Sequence, residues 1–177
     1  VCCARDSGAH SGPHRSLVVG RYRSVEVVQH LLGAACTGIT VTTHGQAPLL
    51  VSCRQGHYGD VELLFLAACP VRRATTTHGF TPLFVSSQNG HVDVVRLLLG
   101  AGCDVGKAST HGLTPLFVSS QNGHVEVVRL LLGAGCDVNK VTTHGQTPLL
   151  ISSLQGHVEV VQRLLGAGCD VNRATTT

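Results

Sequence analysis

Apolar residues between Leu83 and Leu99 fall into two short clusters on either side of a polar turn. Leu83, Phe84 and Val85 precede Asn89-Gly90, and Val92, Val95, Leu98 and Leu99 follow it three or four positions apart. Thr81-Pro82 stands ahead of the first cluster. A threonine hydroxyl accepts from free amides at a helix start, and proline fits the first helical turn, so a helix is predicted from there. Asn89-Gly90 stops it after about two turns. A second helix is predicted after His91, with Asp93 and Arg96 on its wet face and Asp93 suited to the positive helix start. Position 97 is leucine here, but His30 and Arg163 stand at its equivalents, which places it at the edge of the buried face. Gly100 and Gly102 end the second helix, and Asp104 to Gly112 reads as a turn-rich loop.

This pattern is periodic. Thr81 to Asp104, TPLFVSSQNGHVDVVRLLLGAGCD, recurs at Thr114 to Asp137 with Glu126 in place of Asp93, and weaker copies begin at Ala47, at Thr147 and around Gly12. The units are 11–43, 44–77, 78–110, 111–143 and 144–177, after a lead-in over 1–10 that carries no period. Neither helix is long enough to stand alone, because helix nucleation is unfavourable and one apolar face stays wet until a neighbouring unit covers it. The expectation is an all-α solenoid of paired short antiparallel helices joined by hairpin-like loops. It forms one elongated domain over 11–177.

The segment Thr114 to Lys140, TPLFVSSQNGHVEVVRLLLGAGCDVNK, strongly resembles the ankyrin repeat, whose usual pattern is G-x-TPLH-x-A-A-x-x-GH-x-x-V-x-x-LL-x-x-GA-D. The likeness extends over roughly residues 11–177. It implies partner contacts just after the loop His-Gly and at the end of the first helix. Carried over residue by residue, these are Gln46, Phe80, Leu113 and Gln146 in the first group, and Arg54, Gln55, Gln88, Asn89, Gln121, Asn122, Leu154 and Gln155 in the second. Phe80 and Leu113 are the apolar anchor candidates; truncating Phe80 is expected to weaken binding by more than about 1 kcal/mol with little change in melting. Two departures from the pattern stand out. Leu50, Phe84, Phe117 and Leu150 replace the usual histidine, which removes a polar group from the loop junction. Ser-Ser or Ser-Cys replaces Ala-Ala, and such serines can bond back to the preceding helical turn.

Composition narrows the function. Net charge is +3 with histidines neutral and aromatic residues make up 3%, too little charge and too few stacking platforms for nucleic acid. Arg72, Arg73, Lys107, Lys140 and Arg173 form a row of solvated loop charges that mildly favours acidic partners. No apolar run approaches the roughly 20 residues a membrane span needs. The chain begins at Val1, and its last residues parallel Arg72 to Thr77, which lead into another unit. The array is therefore expected to be part of a longer one, monomeric, with an exposed stacking face at its C-terminal end.

Candidate chemistry disperses along the repeat. Cys36, Cys69, Cys103, Cys136 and Cys169 hold one place in successive units. Stacked helices lie about 8–10 Å apart while bridged cysteines need Cα atoms within roughly 7 Å, so the row stays thiol and suits a reducing, cytoplasmic setting. Histidines form two rows, His44, His78, His111 and His144 in the loops and His57, His91, His124 and His157 between helices. Zinc sits about 2 Å from each ligand, so residues one stacking interval apart do not converge on it. No nucleophile, base and orienting group come together, and no phosphate-binding glycine loop or carboxylate pair is present. The reading is therefore a non-catalytic module, without cofactor or metal, that binds a protein or peptide on the concave loop and first-helix face. The alternative is a targeting or regulatory segment of a larger enzyme or channel. Within the array, 11–43 has an atypical start and the arginines Arg15, Arg21 and Arg23, as an N-terminal cap would. Gly59 and Asp60 are expected to weaken the second helix of 44–77.

Overall fold

The computed structural model describes residues 48–66 and 78–173. The lead-in, the unit 11–43, Gln46, His44, Cys36, Cys69, Arg72 and Arg73 lie outside the described residues. The described residues form α1 (Pro48–Gln55), α2 (Tyr58–Leu66), α3 (Pro82–Gln88), α4 (Val92–Gly100), α5 (Pro115–Gln121), α6 (Val125–Gly133), α7 (Pro148–Leu154) and α8 (Val158–Gly166), with no strand among them. The odd-numbered helices pack side by side as one layer and the even-numbered helices as a second. Each first helix also packs on the second helix of its own unit.

Local chemistry sets the boundaries. The Thr81, Thr114 and Thr147 hydroxyls accept from the amides of Phe84, Phe117 and Leu150, each at 3.1 Å, and proline follows each threonine. At the other end Gly90 takes φ 74°, its amide bonds to Ser87 O, and the His91 amide reaches Ser86 O. This pair of bonds closes a helix around a left-handed residue, which glycine adopts without steric penalty. The second helices end the same way: Gly102 donates to Leu99 O and Cys103 to Leu98 O, and Gly135 with Cys136 and Gly168 with Cys169 repeat the arrangement. The cysteine thus occupies the position whose side chain packs back onto the last turn, which is why the Gly-Cys pair recurs.

The core is a continuous ladder. Leu83, Phe84 and Val85 from α3, Leu116, Phe117 and Val118 from α5, and Val94, Val95 and Leu98 with their equivalents Val127, Val128 and Leu131 are all buried. Each such side chain contributes roughly 1.5–3 kcal/mol, which a lone helical pair would forgo on its uncovered side. The face of α4 differs from the helical-wheel expectation. Val94 is buried, while Val92 and Leu99 are half-buried, because α4 packs against both α3 and its neighbours α2 and α6, which widens and rotates the dry stripe. Leu97 is half-buried at its edge, as the substitutions at its equivalents indicated.

The Ser-Ser pairs divide by position. The Ser86, Ser119 and Ser152 hydroxyls donate to the carbonyls of Leu83, Leu116 and Leu149 at 3.0–3.1 Å. Ser87 Oγ and Ser120 Oγ are buried and have no hydrogen-bond partner. Loss of the usual histidine after Thr-Pro-Leu does not unlink the loops, since backbone groups do the work. The Thr110 amide donates to His78 O and the Thr143 amide to His111 O, each at 3.1 Å, and the two threonine hydroxyls donate to the same carbonyls.

Candidate protein-interaction surface

The loop tips at 109–113 and 142–146 are each built around one hydroxyl. Ser109 Oγ accepts from the amides of His111 and Leu113, Thr142 Oγ1 accepts from those of His144 and Gln146, and a backbone bond from Ser109 to Leu113 O, repeated from Thr142 to Gln146 O, closes the turn. Gly112 and Gly145 take positive φ there, and the Gly112 Cα approaches the next loop so closely that an added Cβ would lie 2.9 Å from Thr143 N. Sequence reasoning passed over Ser109 and Thr142. Their shared place two residues ahead of His-Gly was the available signal.

These bonds hold Leu113 and Gln146 in place, and Phe80 stands at the equivalent position on the same edge; all three are half-buried, beside exposed His78, His111 and His144. Phe80 is not a free anchor. Its ring stacks on Phe84 with centroids 4.6 Å apart and planes 10° from parallel, and His78 stacks on its other side at 5.4 Å and 13°. The three rings form a column running from the loop tip into the core, so truncating Phe80 removes packing from the fold as well as surface from the edge. Leu113 likewise packs against the core.

The second group of candidate residues forms another row. Arg54, Gln55, Gln88, Asn89, Gln121, Asn122, Leu154 and Gln155 are all exposed at the ends of α1, α3, α5 and α7. Two of them are already engaged: Asn89 Nδ2 donates to Val85 O and Asn122 Nδ2 to Gln88 O, each at 2.7 Å, the latter tying one unit to the next. Between the two rows α3 and α5 expose nothing, since Pro82 to Ser87 and Pro115 to Ser120 are buried throughout. The first helices therefore offer a partner their last turn only. The two edges stand apart by the length of a seven-residue helix, about 10 Å.

The histidines between helices are structural ties. His91, His124 and His157 place Nε2 at 2.9–3.0 Å from the carbonyls of Arg54, Gln88 and Gln121 in the preceding unit. A carbonyl only accepts, so Nε2 carries the proton. Each ring lies flat over the glycine of the preceding turn: a Cβ on Gly56, Gly90 or Gly123 would fall 2.5, 2.6 or 2.7 Å from the imidazole Nδ1. Among the described residues, no three His, Cys, Asp or Glu lie together as a metal would require. Cys53, Cys136 and Cys169 are free thiols, and burial pushes the Cys53 thiol well up and that of Cys136 to about 11. An open groove of about 360 Å³ between α2 and α4 is lined by Tyr58, Asp93, Arg96 and Leu97, none of which belongs to either row.

This geometry matches what comparison with known proteins finds. The family described as Ankyrin repeats (3 copies) matches residues 17–109 and 101–175. The chain belongs to the ankyrin repeat family. No curated protein matches it. Ankyrin arrays serve generally as protein-binding modules, and the family match includes no catalytic domain. No helix among the described residues of this ankyrin chain is long and apolar enough to cross a membrane.

Proposed function

We propose that this ankyrin array is a non-catalytic interaction module that grips a protein or peptide across its two exposed edges, the loop tips and the ends of the first helices. The observation that carries the reading is the register of those edges. Loop-to-loop bonds from Thr110 to His78 and from Thr143 to His111, with the histidine ties from His91, His124 and His157, repeat the same side-chain positions along a rigid frame. A frame of this kind presents an extended partner with evenly spaced contacts and little ordering cost. Residues differ from unit to unit at those positions, which is where selectivity resides: Phe80, Leu113 and Gln146 on one edge, and Arg54, Gln88, Gln121 and Leu154 on the other. The free thiols of Cys53, Cys136 and Cys169 suit a reducing, cytoplasmic setting.

The test is affinity capture from native cell extract, followed by hydrogen-exchange footprinting of the captured complex. Bound partner is expected to slow exchange at residues 78–80, 111–113 and 144–146 and at the ends of α3, α5 and α7. A Gln88→Ala, Gln121→Ala double variant, which removes exposed side chains only, is expected to weaken capture without lowering the melting temperature. A footprint confined to α4, α6 and α8 would overturn the assignment of the face.

A further inference from the structure

The loop tips carry cations and no acid. Within 105–113 and 138–146 the charged or protonatable side chains are Lys107, His111, Lys140 and His144, and 78–84 adds His78. All five are exposed. The acids at the base of these loops are turned back on their own chain: Asp104, Asp137 and Asp170 accept through Oδ1 from the amides of Gly106, Asn139 and Asn172 at 2.9–3.0 Å. Neither Lys107 nor Lys140 joins an ion pair among the described residues. The spacing of the row follows from the backbone. The chain runs out to the tips and back, the Ser109 amide bonding to Leu113 O and the Thr142 amide to Gln146 O. Each outgoing limb bonds in turn to the returning limb of the unit before it, Thr110 to His78 O and Thr143 to His111 O. Hydrogen-bonded limbs lie about 4.7–4.9 Å apart, so one histidine follows another at about 9.6 Å. Phe80, Leu113 and Gln146 repeat beside them at the same interval.

We propose that the row His78, His111 and His144 is the docking line for an acidic segment of a protein partner in the polyproline II conformation, with a carboxylate on every third residue. The inference rests on the loop-tip edge of the proposed function and adds the partner's conformation and charge. An extended strand does not fit the row: residues two apart span only about 6.6–6.8 Å, and residues three apart point to opposite faces. Polyproline II has three residues per turn and rises about 3.1 Å per residue, so every third side chain returns to the same side after about 9.3 Å. Across three histidines the mismatch stays under about 1 Å, which flexible carboxylate side chains absorb. A segment already held in that conformation loses little freedom on docking. The charged groups sharing these loops with the histidines are Lys107, Lys140 and the turn-bound Asp104 and Asp137, and the first helices packed beneath, α3, α5 and α7, carry none. Lys107 and Lys140 attract carboxylates at neutral pH. The imidazoles add charge as pH falls through the range in which histidine takes up its proton, while the partner's carboxylates are still ionised.

The probe is a capped peptide of three Glu-Pro-Pro triplets. It is compared with a peptide of the same composition whose glutamates are adjacent, and with an oligothymidine of equal length. Binding to the full chain is read by fluorescence anisotropy at pH 5.5 and pH 7.5, on either side of the ordinary histidine titration. An exposed ion pair multiplies affinity by no more than about fivefold, so three in register are expected to make the triplet peptide bind about tenfold more tightly at the lower pH. At that pH it is expected to exceed the clustered peptide by a similar factor, and to slow hydrogen exchange at 111–113 and 144–146. A His111→Gln, His144→Gln double variant is expected to lose most of both differences with melting unchanged, since both rings are exposed. A Lys107→Gln, Lys140→Gln variant is expected to weaken the triplet peptide at both pH values. Equal affinity for the two peptides would overturn the proposal, as would a pH dependence that survives the histidine variant or the lack of any saturable binding. Oligothymidine binding as tightly as the triplet peptide would overturn it in favour of a general anion surface. A captured partner that protects 78–80, 111–113 and 144–146 while the peptides show no preference would remove this inference alone and leave the proposed function standing.

Discussion

Asp60 stands at the place that Val94, Val127 and Val160 occupy in the other units, and like them it is buried, at 1% exposure. Its nearest opposite partner is His57 Nδ1, 3.4 Å from Oδ2, and neither atom makes a hydrogen bond. A buried carboxylate oxygen left without a hydrogen bond loses hydration that an imperfect contact to histidine returns only in part. Valine removes that penalty and restores a side chain worth roughly 1.5 kcal/mol or more when fully buried. Replacements of buried ion pairs by well-packed apolar residues gain about 1–4 kcal/mol, so Asp60→Val is expected to stabilise the array by about 2 kcal/mol. For a domain of this size, that corresponds to a rise in melting temperature of roughly 4–8 °C. Urea titration followed by circular dichroism measures the gain, and hydrogen exchange over Tyr58–Leu66 locates it. Asp60→Asn serves as the partial variant, since it removes charge while keeping an unsatisfied polar group, and its gain should be smaller. A destabilised Asp60→Val chain would refute the reasoning, because it would mean that the carboxylate is well paired and contributes to stability.

Three further outcomes follow from the same accounting. Ser87→Ala and Ser120→Ala are expected to stabilise by about 1 kcal/mol each, since each hydroxyl is buried without a partner, whereas Ser86→Ala and Ser119→Ala should lie near zero because those hydroxyls already bond to a carbonyl. Denaturant midpoints of the four single variants decide it. Gly123→Ala is expected to cost roughly 2–4 kcal/mol, combining left-handed strain with displacement of His157, while Gly156→Ala, with the same backbone angle and an open seat, should cost about half as much or less; equal losses would remove the histidine seat from the explanation. For the thiols, burial raises Cys136 from 9.0 in the unfolded chain to about 11 in the folded one, so its contribution is complete below pH 9 and is lost as pH climbs toward 11. Stability measured from pH 8 to 11 should fall across that window, and alkylation with peptide mapping at pH 8 should modify the fully buried Cys53 only at the rate at which the structure opens.

How much of this was legible beforehand depends on how local the cause was. The caps at Thr81, Thr114 and Thr147 and the stops at Gly90, Gly123 and Gly156 are decided within four or five residues of chain, and the pattern of residue types announced each of them. Stacking was legible as well, because a repeated amphipathic pair has no other way to dry its second face. Burial of Val94 was not, since the dry stripe of α4 is set by packing against three helices at once and not by its own periodicity. The ring column His78, Phe80 and Phe84 was missed for a similar reason: Phe80 read as a loop residue, and only the return of the loop over α3 brings its ring onto Phe84. The candidate edges show the deeper division. Periodicity predicts where Phe80, Leu113 and Gln146 stand, because they share one backbone place, yet their differences are what a partner reads, and a repeat argument averages those differences away. The places where one unit departs from the others therefore carry the specific chemistry. Asp60 does so in stability and Phe80 in packing at the loop edge.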